Sequence, residues 1–486
     1  METRLLCSMN RFTLTFLTIA LAFSSIAQED AVEVKEVPKF KVSPLPELTE
    51  ELSPGFFAEN RERLRDTLED SSMVVLFSAP IRYRSNDIEY RYHQDPDFFY
   101  FTGINAEHAM LILFDGPVQI EGKWYREILF IEEKQEKKEM WTGTMMDEEE
   151  AKEVSGIAAV MPNTAFKTLD IDWEPINRIL ANRSLFIERD NKTHPGDLAS
   201  MVKHLFNKAE RAAVPAQVDE GEDLFGYLRQ HKSKEEIRMM QTAIDITCMA
   251  HNNVMRMVEP GMTEYQLEAI IEYTFRYAGA DGIAFPSIVA SGDNGAIIHY
   301  TNNDDLLIPD DLVIMDIGAQ YQGYAADITR TIPVSGKFTE EQAAVYQLVL
   351  DAQTVAIRYA TKGYKFWTPH EEAYRTIGKG LIKLGIIKEW SEIADYFMHG
   401  TSHYLGLDVH DAGIYSSLQP GEVITVEPGI YIPPGSPCDT KWWGIYVRIE
   451  DDILITDGPA KVLSEAAPRT IQEIEAFMAG GNASTD

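Results

Sequence analysis

Short apolar runs, bounded by Gly, Pro or acidic residues, alternate along this chain with longer stretches whose apolar positions recur at helical spacing. In the first half the pattern predicts a helix over Pro54 to Leu68 and a strand over Met73 to Phe77. Two more strands follow, Ala109 to Phe114 and Glu127 to Ile131, with Asp115-Gly116 as a turn signal. Glu132 to Glu139 mixes both signs of charge and reads as a solvated loop. Asp147 to Val154 begins with acids and has Gly156 beyond its end, which predicts a helix. Leu185 to Glu188 reads as a strand and Asp197 to Ala212 as a helix. The alternation predicts an α/β domain that ends near residue 215, at Ala213-Val214-Pro215.

The second half carries strong helix-start signals. Ser233 to Glu236 is a capping box, in which Ser caps the helix and Glu at the third position reaches back. Thr263 to Gln266, Thr339 to Gln342, and Thr368 to Glu371 with Pro369 at the first helical position repeat the signal. Behind the first cap, Ile237, Met240, Ile244, Cys248, His251, Met255 and Val258 form one apolar face, and His251 reads as packing. Apolar strands follow at Leu312 to Met315, Val423 to Val426, Ile445 to Ile449 and Ile453 to Thr456. This half is expected to be α+β, a curved and largely antiparallel sheet with helices packed on one face.

The chain has 486 residues and a formal charge of -33. That length accommodates two domains, and that charge argues against a nucleic-acid partner, which would want a basic face. Arg4 and Arg11 precede an apolar run from about Phe12 to Phe23, and Ser25-Ile26-Ala27 offers a small-residue cleavage site. This is a secretory signal pattern over 1–27, too short for an ordinary membrane span, and it implies export to a periplasmic or extracellular space. After cleavage only Cys248 and Cys438 remain, so no disulfide framework is expected. The organisation expected is a signal over 1–27, a first domain over 28–215 and a second over 216–480.

Polar residues interrupt the apolar strands where an ordinary core would not place them. Leu312 to Met315 delivers Asp316 at a strand end, and Asp327 follows beyond a turn signal at Tyr321-Gln322-Gly323. A turn centred on Tyr321 and Gln322 would set the two carboxylates directly opposite, and a one-residue bulge would offset them. His399, His403 and His410 fall within twelve positions. Glu427 ends an apolar run, and Tyr446, Arg448 and Glu450 share one face of an alternating strand. Each has an ordinary reading alone: a turn residue, a satisfied core histidine, the first acid of a solvated Glu-Asp-Asp cluster. Together, Asp316, Asp327, His403, Glu427 and Glu450 are an oxygen-rich donor set with one imidazole. That suits two divalent ions, Mn(2+) above all with Zn or Co open, which bind and deprotonate a water and polarise a carbonyl. This is hydrolase equipment.

The order Asp, Asp eleven residues on, His, Glu, Glu resembles the pita-bread metallopeptidases, which include methionine aminopeptidase, aminopeptidase P and prolidase. The likeness is closest to bacterial aminopeptidase P and spans nearly the whole chain after the signal. Its motifs run from Ser291-Gly292-Asp293-Asn294-Gly295 through His299-Tyr300-Thr301, then Met315 to Thr331, His399 to Asp411, Val426 to Tyr431 and Arg448 to Asp452. In the first half, Tyr90 to Gly103 looks like that family's N-terminal domain.

The resemblance implies a pita-bread catalytic domain preceded by a smaller α/β domain. It implies that Asp316 binds one metal, that Asp327 and Glu450 bridge two, and that His403 and Glu427 bind the other, with a hydroxide between them. Glu427 would shuttle a proton to the leaving proline nitrogen. His299, His399 and His410 would hold substrate and stabilise the tetrahedral intermediate, Arg448 would orient carboxylates, and Tyr431 would support the site. Asp87 and Trp141 would meet the substrate's amino end or a neighbouring subunit's cleft. The implied reaction releases the N-terminal residue from peptides with proline second, by a homo-oligomer. Prolidase activity on Xaa-Pro dipeptides is the alternative, and a non-catalytic binding module on the same fold is a third reading. Methionine aminopeptidase fits poorly, because it lacks the first domain.

Overall fold

The computed structural model describes residues 48, 51–182, 196–217 and 219–481. The signal segment, most of residues 28–50 and the strand expected at Leu185 to Glu188 lie outside the described residues. The first half is built on a mixed sheet. β1 (Ser72–Phe77) is buried along its whole length, as its unbroken apolar run requires. A small exposed hairpin, β2 (Tyr83–Ser85) and β3 (Ile88–Glu89), follows. β4 (Met110–Ile120) and β5 (Lys123–Ile131) form the long hairpin, and β6 (Val160–Pro162), β7 (Arg178–Ala181) and β8 (Ala216–Gln217) complete the sheet. The spatial order is β6-β5-β4-β1-β7-β8. The pairs β1–β4 and β4–β5 are antiparallel, whereas β1–β7, β5–β6 and β7–β8 are parallel.

Two sequence expectations give way here. Asp115-Gly116 is not the hairpin turn. The strand continues through it with a register shift between Leu113 and Val118, and the chain reverses at Glu121 and Gly122. The stretch expected as a solvated loop contains a helix, Glu136–Thr142, none of whose residues is buried. Its mixed charge reported exposure, not conformation. The helices Pro54–Thr67 and Leu198–Ala212 form as their patterns predict. So does Glu148–Ser155, where Asp147 caps the amide N–H groups and Glu150 reaches back.

In the second half, among the described residues, every strand pair is antiparallel. β9 (Gly282–Ile283) pairs with β12 (Ala319–Tyr321), which pairs with β13 (Tyr324–Ala325). β10 (Ile288–Ser291), β11 (Leu312–Ile317) and β14 (Ile328–Pro333) form a second ladder. β15 (Val423–Val426) pairs with β18 (Asp451–Leu454), which pairs with β19 (Lys461–Val462), while β16 (Gly429–Ile432) pairs with β17 (Ile445–Arg448). Helix Lys234–Met257 packs on β12, β13 and β14, and Glu340–Tyr359 packs on β15, β16 and β17.

The first helix has its capping box, Ser233 and Glu236, in full. His251 is buried, its Nε2 is 3.0 Å from the Ile328 carbonyl, and burial holds it neutral, with its pKa pushed down to about 3. It is the packing histidine its stripe predicts. Thr339 and Gln342 cap Glu340–Tyr359 reciprocally. The helix Thr368–Leu384 starts one residue early. Trp367 is its cap, and Thr368 is already helical ahead of Pro369. Among the described residues no helix is long and apolar enough to cross a membrane.

Candidate metal centre

The two aspartates come from one hairpin with a register of its own. Tyr321 faces Tyr324, so the turn is centred on Gln322 and Gly323, one residue later than Tyr321 and Gln322. Both take positive φ, 47° and 83°, the turn that matches strand twist and favours Gly at its second position. Asp316 therefore faces Thr329. Asp327 falls across from Gly318, two positions further along, and so shares the face of Asp316 as a diagonal neighbour. The ladder parts at that point. β11 pairs within one sheet and β12 within another, and the backbones press together between them. A Cβ on Gly318 would come within 1.8 Å of the Ala326 carbonyl oxygen, so only glycine fits.

The other donors arrive from three further segments. His403 precedes the loop at 404–411, Glu427 follows β15, and Glu450 sits between β17 and β18. The Glu450 carboxylate accepts from Thr329 Oγ1 at 2.6 Å, and its own N–H donates to the Thr329 carbonyl at 3.1 Å. Donor atoms of Asp327, His403 and Glu450 all lie within 4.8 Å of one another. His403 Nε2 is 3.4 Å from Asp327 Oδ2 and 3.8 Å from Glu427 Oε1. Its Nδ1 is 3.0 Å from the Tyr404 carbonyl, which can only accept. Nδ1 therefore carries the proton, and the Nε2 lone pair points at the carboxylates. Such a lone pair among anions calls for a cation.

The electrostatics agree. Asp327 is pushed well above the usual carboxylate range by burial and by the charges of Asp316, Asp452 and Glu427. Glu450 is pushed up by burial, Asp327 and Glu427. Burial raises Glu427 to about 7, although His403 and Arg448 pull it down. Asp316 Oδ1 and Asp327 Oδ1 are buried with no hydrogen-bond partner. Like charges held this close, with oxygens left bare, fit divalent ions that would be shared by the set. The solvated reading of Glu450-Asp451-Asp452 fails, because all three are buried.

Around the donors lies a polar relay. Arg448 donates from Nη2 to Asp316 Oδ2 at 2.7 Å and from Nη1 to the Tyr431 hydroxyl at 3.0 Å. That hydroxyl lies 2.9 Å from His399 Nε2, and His399 Nδ1 lies 2.7 Å from the Gly400 carbonyl. Nδ1 is thus the donor, and Nε2 accepts from Tyr431. Burial and Arg448 push His399 down to about 4, so it is neutral. His399 Nδ1 is 3.7 Å from Glu427 Oε2. His410 stacks edge-on to His403 with ring centroids 4.4 Å apart. Burial and the charges of His403 and His299 lower its pKa, so all three histidines lie close enough to feel one another.

Asp87 and Trp141 are not brought to this centre. Asp87 lies in the exposed turn between β2 and β3, and Trp141 is 90% exposed on the helix Glu136–Thr142. Four residues of the site escaped the sequence reading. Thr329 holds Glu450 and is 3.3 Å from Arg448 Nε. Asp452, buried, accepts the Asp327 N–H at 3.2 Å. Gln353 donates to the carbonyls of Val426 and Ile449, beside two donors, at 3.1 and 3.2 Å. Arg330 donates to the Glu450 carbonyl at 2.6 Å and to Asp451 at 2.7 Å. Only Thr329 and Arg330 left a signal, as polar residues on a strand beside Asp327.

The model of metallopeptidase family M24 matches residues 238–457, and that of the aminopeptidase P N-terminal domain matches 57–170. The chain is 35% identical over 443 residues to the Xaa-Pro aminopeptidase of Escherichia coli (strain K12), covering 88% of this chain and 98% of that one. Among solved structures it is similar to the aminopeptidase PepP of Pseudomonas aeruginosa, at 32% identity and a TM-score of 0.79, over 90% of this chain and all of that one. It is similar also to E. coli aminopeptidase P with the inhibitor Pro-Leu, at 34% identity and a TM-score of 0.78, over 89% of this chain and all of that one. With its pita-bread fold, its first domain and its donor set, the chain belongs to the aminopeptidase P group of metallopeptidase family M24 and is a metalloaminopeptidase.

Proposed function

We propose that this enzyme is a dinuclear-metal exopeptidase that releases the N-terminal residue from peptides with proline at the second position. The observation that carries the reading is the cluster of Asp327, His403 and Glu450 with bare carboxylate oxygens beside it. Asp316, Asp327, His403, Glu427 and Glu450 would hold two ions, of which Mn(2+) suits the donor set best. The ions, when bound, supply a deprotonated water as nucleophile and polarise the scissile carbonyl.

The chain's own groups do the rest. Glu427, with His399 Nδ1 3.7 Å from its Oε2, takes the nucleophile's proton and hands it to the leaving proline nitrogen. His299 and His410, both exposed, and His399 hold the substrate and stabilise charge on the attacked carbonyl. Arg448 keeps the Asp316 carboxylate turned toward the metal, with Tyr431 as its brace. Proline is selectable because its bond is a tertiary amide with a fixed ring. The Pro-Leu inhibitor of the E. coli relative is consistent with a pocket for that ring.

We further propose that residues 1–27 are an export signal and that the domains span 28–215 and 216–480. The enzyme then acts as a homo-oligomer in a periplasmic or extracellular space. In that assembly Asp87 and Trp141 meet a neighbour's cleft, which their exposure permits.

The test is a paired assay on metal-stripped protein given Mn(2+). Cleavage of an Xaa-Pro-Xaa tripeptide after its first residue is expected. Cleavage of the Xaa-Pro dipeptide alone would make the enzyme a prolidase. Metal uptake without cleavage of either would leave the binding module.

A further inference from the structure

Three carboxylates from two halves of the molecule converge on one buried guanidinium. Arg229 lies in the last turn of the helix Asp219–Gln230, between the two halves. Its Nη1 donates to Asp97 Oδ1 at 2.7 Å, and its Nη2 donates to Asp408 Oδ2 at 2.8 Å and to Asp411 Oδ1. Lys232 donates to the other oxygen of Asp411 at 2.8 Å. The side chains of Arg229, Lys232 and Asp411 are 5%, 1% and 1% exposed. Asp97 belongs to the helix Pro96–Thr102 of the first half, and Asp408 and Asp411 flank His410. Lys would reproduce these contacts poorly, because the three acceptors are divided between two η nitrogens of one planar fork, whereas an ammonium must reach all three from a single nitrogen.

The loop thus gripped is closed on itself. Asp411 N–H donates to the Tyr404 carbonyl at 2.9 Å, Gly406 N–H to the Asp408 carbonyl at 3.1 Å, and Ala325 N–H to the Gly406 carbonyl at 2.8 Å. A Cβ on Gly406 would come within 2.2 Å of Asp411 Oδ2, so carboxylate and backbone are already in contact. His403 stands just before this loop and His410 at its far end, ring against ring. The first half also grips the residue before Arg229. The Tyr100 hydroxyl and Arg63 both donate to the Leu228 carbonyl, at 3.0 and 3.2 Å.

We infer that Arg229 is a positioning residue for His410, held in place by Asp97 of the first domain. The seating of the first domain then becomes part of the preorganisation of the catalytic half. The role of His410 in the reaction rests on the function proposed above, whereas the positioning of its loop does not.

Deleting the Arg229 side chain would strand buried carboxylates and risks unfolding, so the variants are Arg229→Lys and Asp97→Asn. Asp97→Asn keeps its helix intact, because Asp95 is the residue that caps it. Hydrogen–deuterium exchange on the full metal-loaded chain should show residues 404–413 exchanging about tenfold faster in both variants. The helix Glu340–Tyr359 should be unchanged. On a tripeptide, kcat should fall about tenfold in Asp97→Asn and further in Arg229→Lys, with a smaller change in KM, since His410 both holds the substrate and stabilises the attacked carbonyl, and the second role demands the tighter placement. Unaltered exchange of 404–413 in both variants overturns the inference, as does a KM change at constant kcat. A wild-type chain that cleaves no Xaa-Pro peptide would defeat the proposed function, and the exchange result would still decide the role of Arg229.

Discussion

Arg448 bridges Asp316 and Tyr431, with its two η nitrogens 2.7 and 3.0 Å from the carboxylate and the hydroxyl. The first contact is part-buried and the second buried, and together they fix which oxygen of Asp316 faces the donor cluster. Asp316 Oδ2 is taken by Arg448 while Oδ1 is left without a partner. A single ammonium cannot hold both partners in one plane. Arg448→Lys is therefore expected to lose about 10–100-fold in metal affinity or turnover. Isothermal titration with Mn(2+) beside steady-state kinetics would measure it, and wild-type values for both would show that the fork is dispensable.

Asp327 sits under strong repulsion, with Asp316, Asp452 and Glu427 all raising its pKa on top of burial. Removing its charge takes away a proposed bridge between ions and also relieves the metal-free fold. Asp327→Asn should lose activity to background and bind less metal by elemental analysis, yet melt at a higher temperature than the wild type when both are stripped. Asp327→Ala should likewise be inactive with its fold largely kept. Near-normal turnover by either variant would sink the two-metal assignment.

Stability should respond to pH in a direction set by the same carboxylates. Glu427 is raised from an ordinary 4.5 to about 7, and Asp327 and Glu450 are raised as well. A raised carboxyl binds more protons folded than unfolded, so its contribution is complete below the unfolded value and is lost as pH climbs through the folded one. His251 and His399 are lowered and act in the opposite sense below about 6.5. Both are neutral in the folded protein above about pH 5, stripped or loaded, and cancel in the difference there. The gain in melting temperature on adding Mn(2+) should therefore grow between pH 5 and about 7.5, the window spanned by the Glu427 shift. A gain independent of pH would mean that the ions do not meet these carboxylates.

Gly318→Ala tests the hairpin without touching a donor. The added Cβ would collide with the Ala326 backbone oxygen at 1.8 Å, and backbone cannot swing aside as a side chain can. A loss of about 3 kcal/mol in chemical denaturation is expected, with metal binding weakened because Asp327 is the next residue. Wild-type stability would show that the two sheets part more freely than this contact implies.

The donors themselves were legible because each breaks a local rule. Asp316 and Glu427 end apolar strands, and Arg448 and Glu450 share the face of a strand that should alternate into solvent. Two of their partners, Gln353 and Asp452, were not legible, because nothing local marks them. Gln353 is an ordinary helix residue until the helix packs beside Val426 and Ile449. Asp452 looked solvated next to two other acids, and only the pairing of β15 with β18 buries it. The hairpin register depended on where a turn of Tyr321, Gln322 and Gly323 would centre. Any of several placements obeys the apolar pattern, and the positive φ of Gln322 decided it. The helix Glu136–Thr142 was hidden for another reason, since a segment with no buried residue leaves no apolar period to read.

Asp316 and Arg448 lie 132 positions apart, and Glu450 comes later still. During synthesis the hairpin with both aspartates is complete long before the strand that carries Arg448 and Glu450 exists. Until then, the early pair has neither its guanidinium nor its last carboxylate. Capture of the ions is in this way reserved for a chain whose final sheet has closed, and the metal site doubles as a record that assembly is finished.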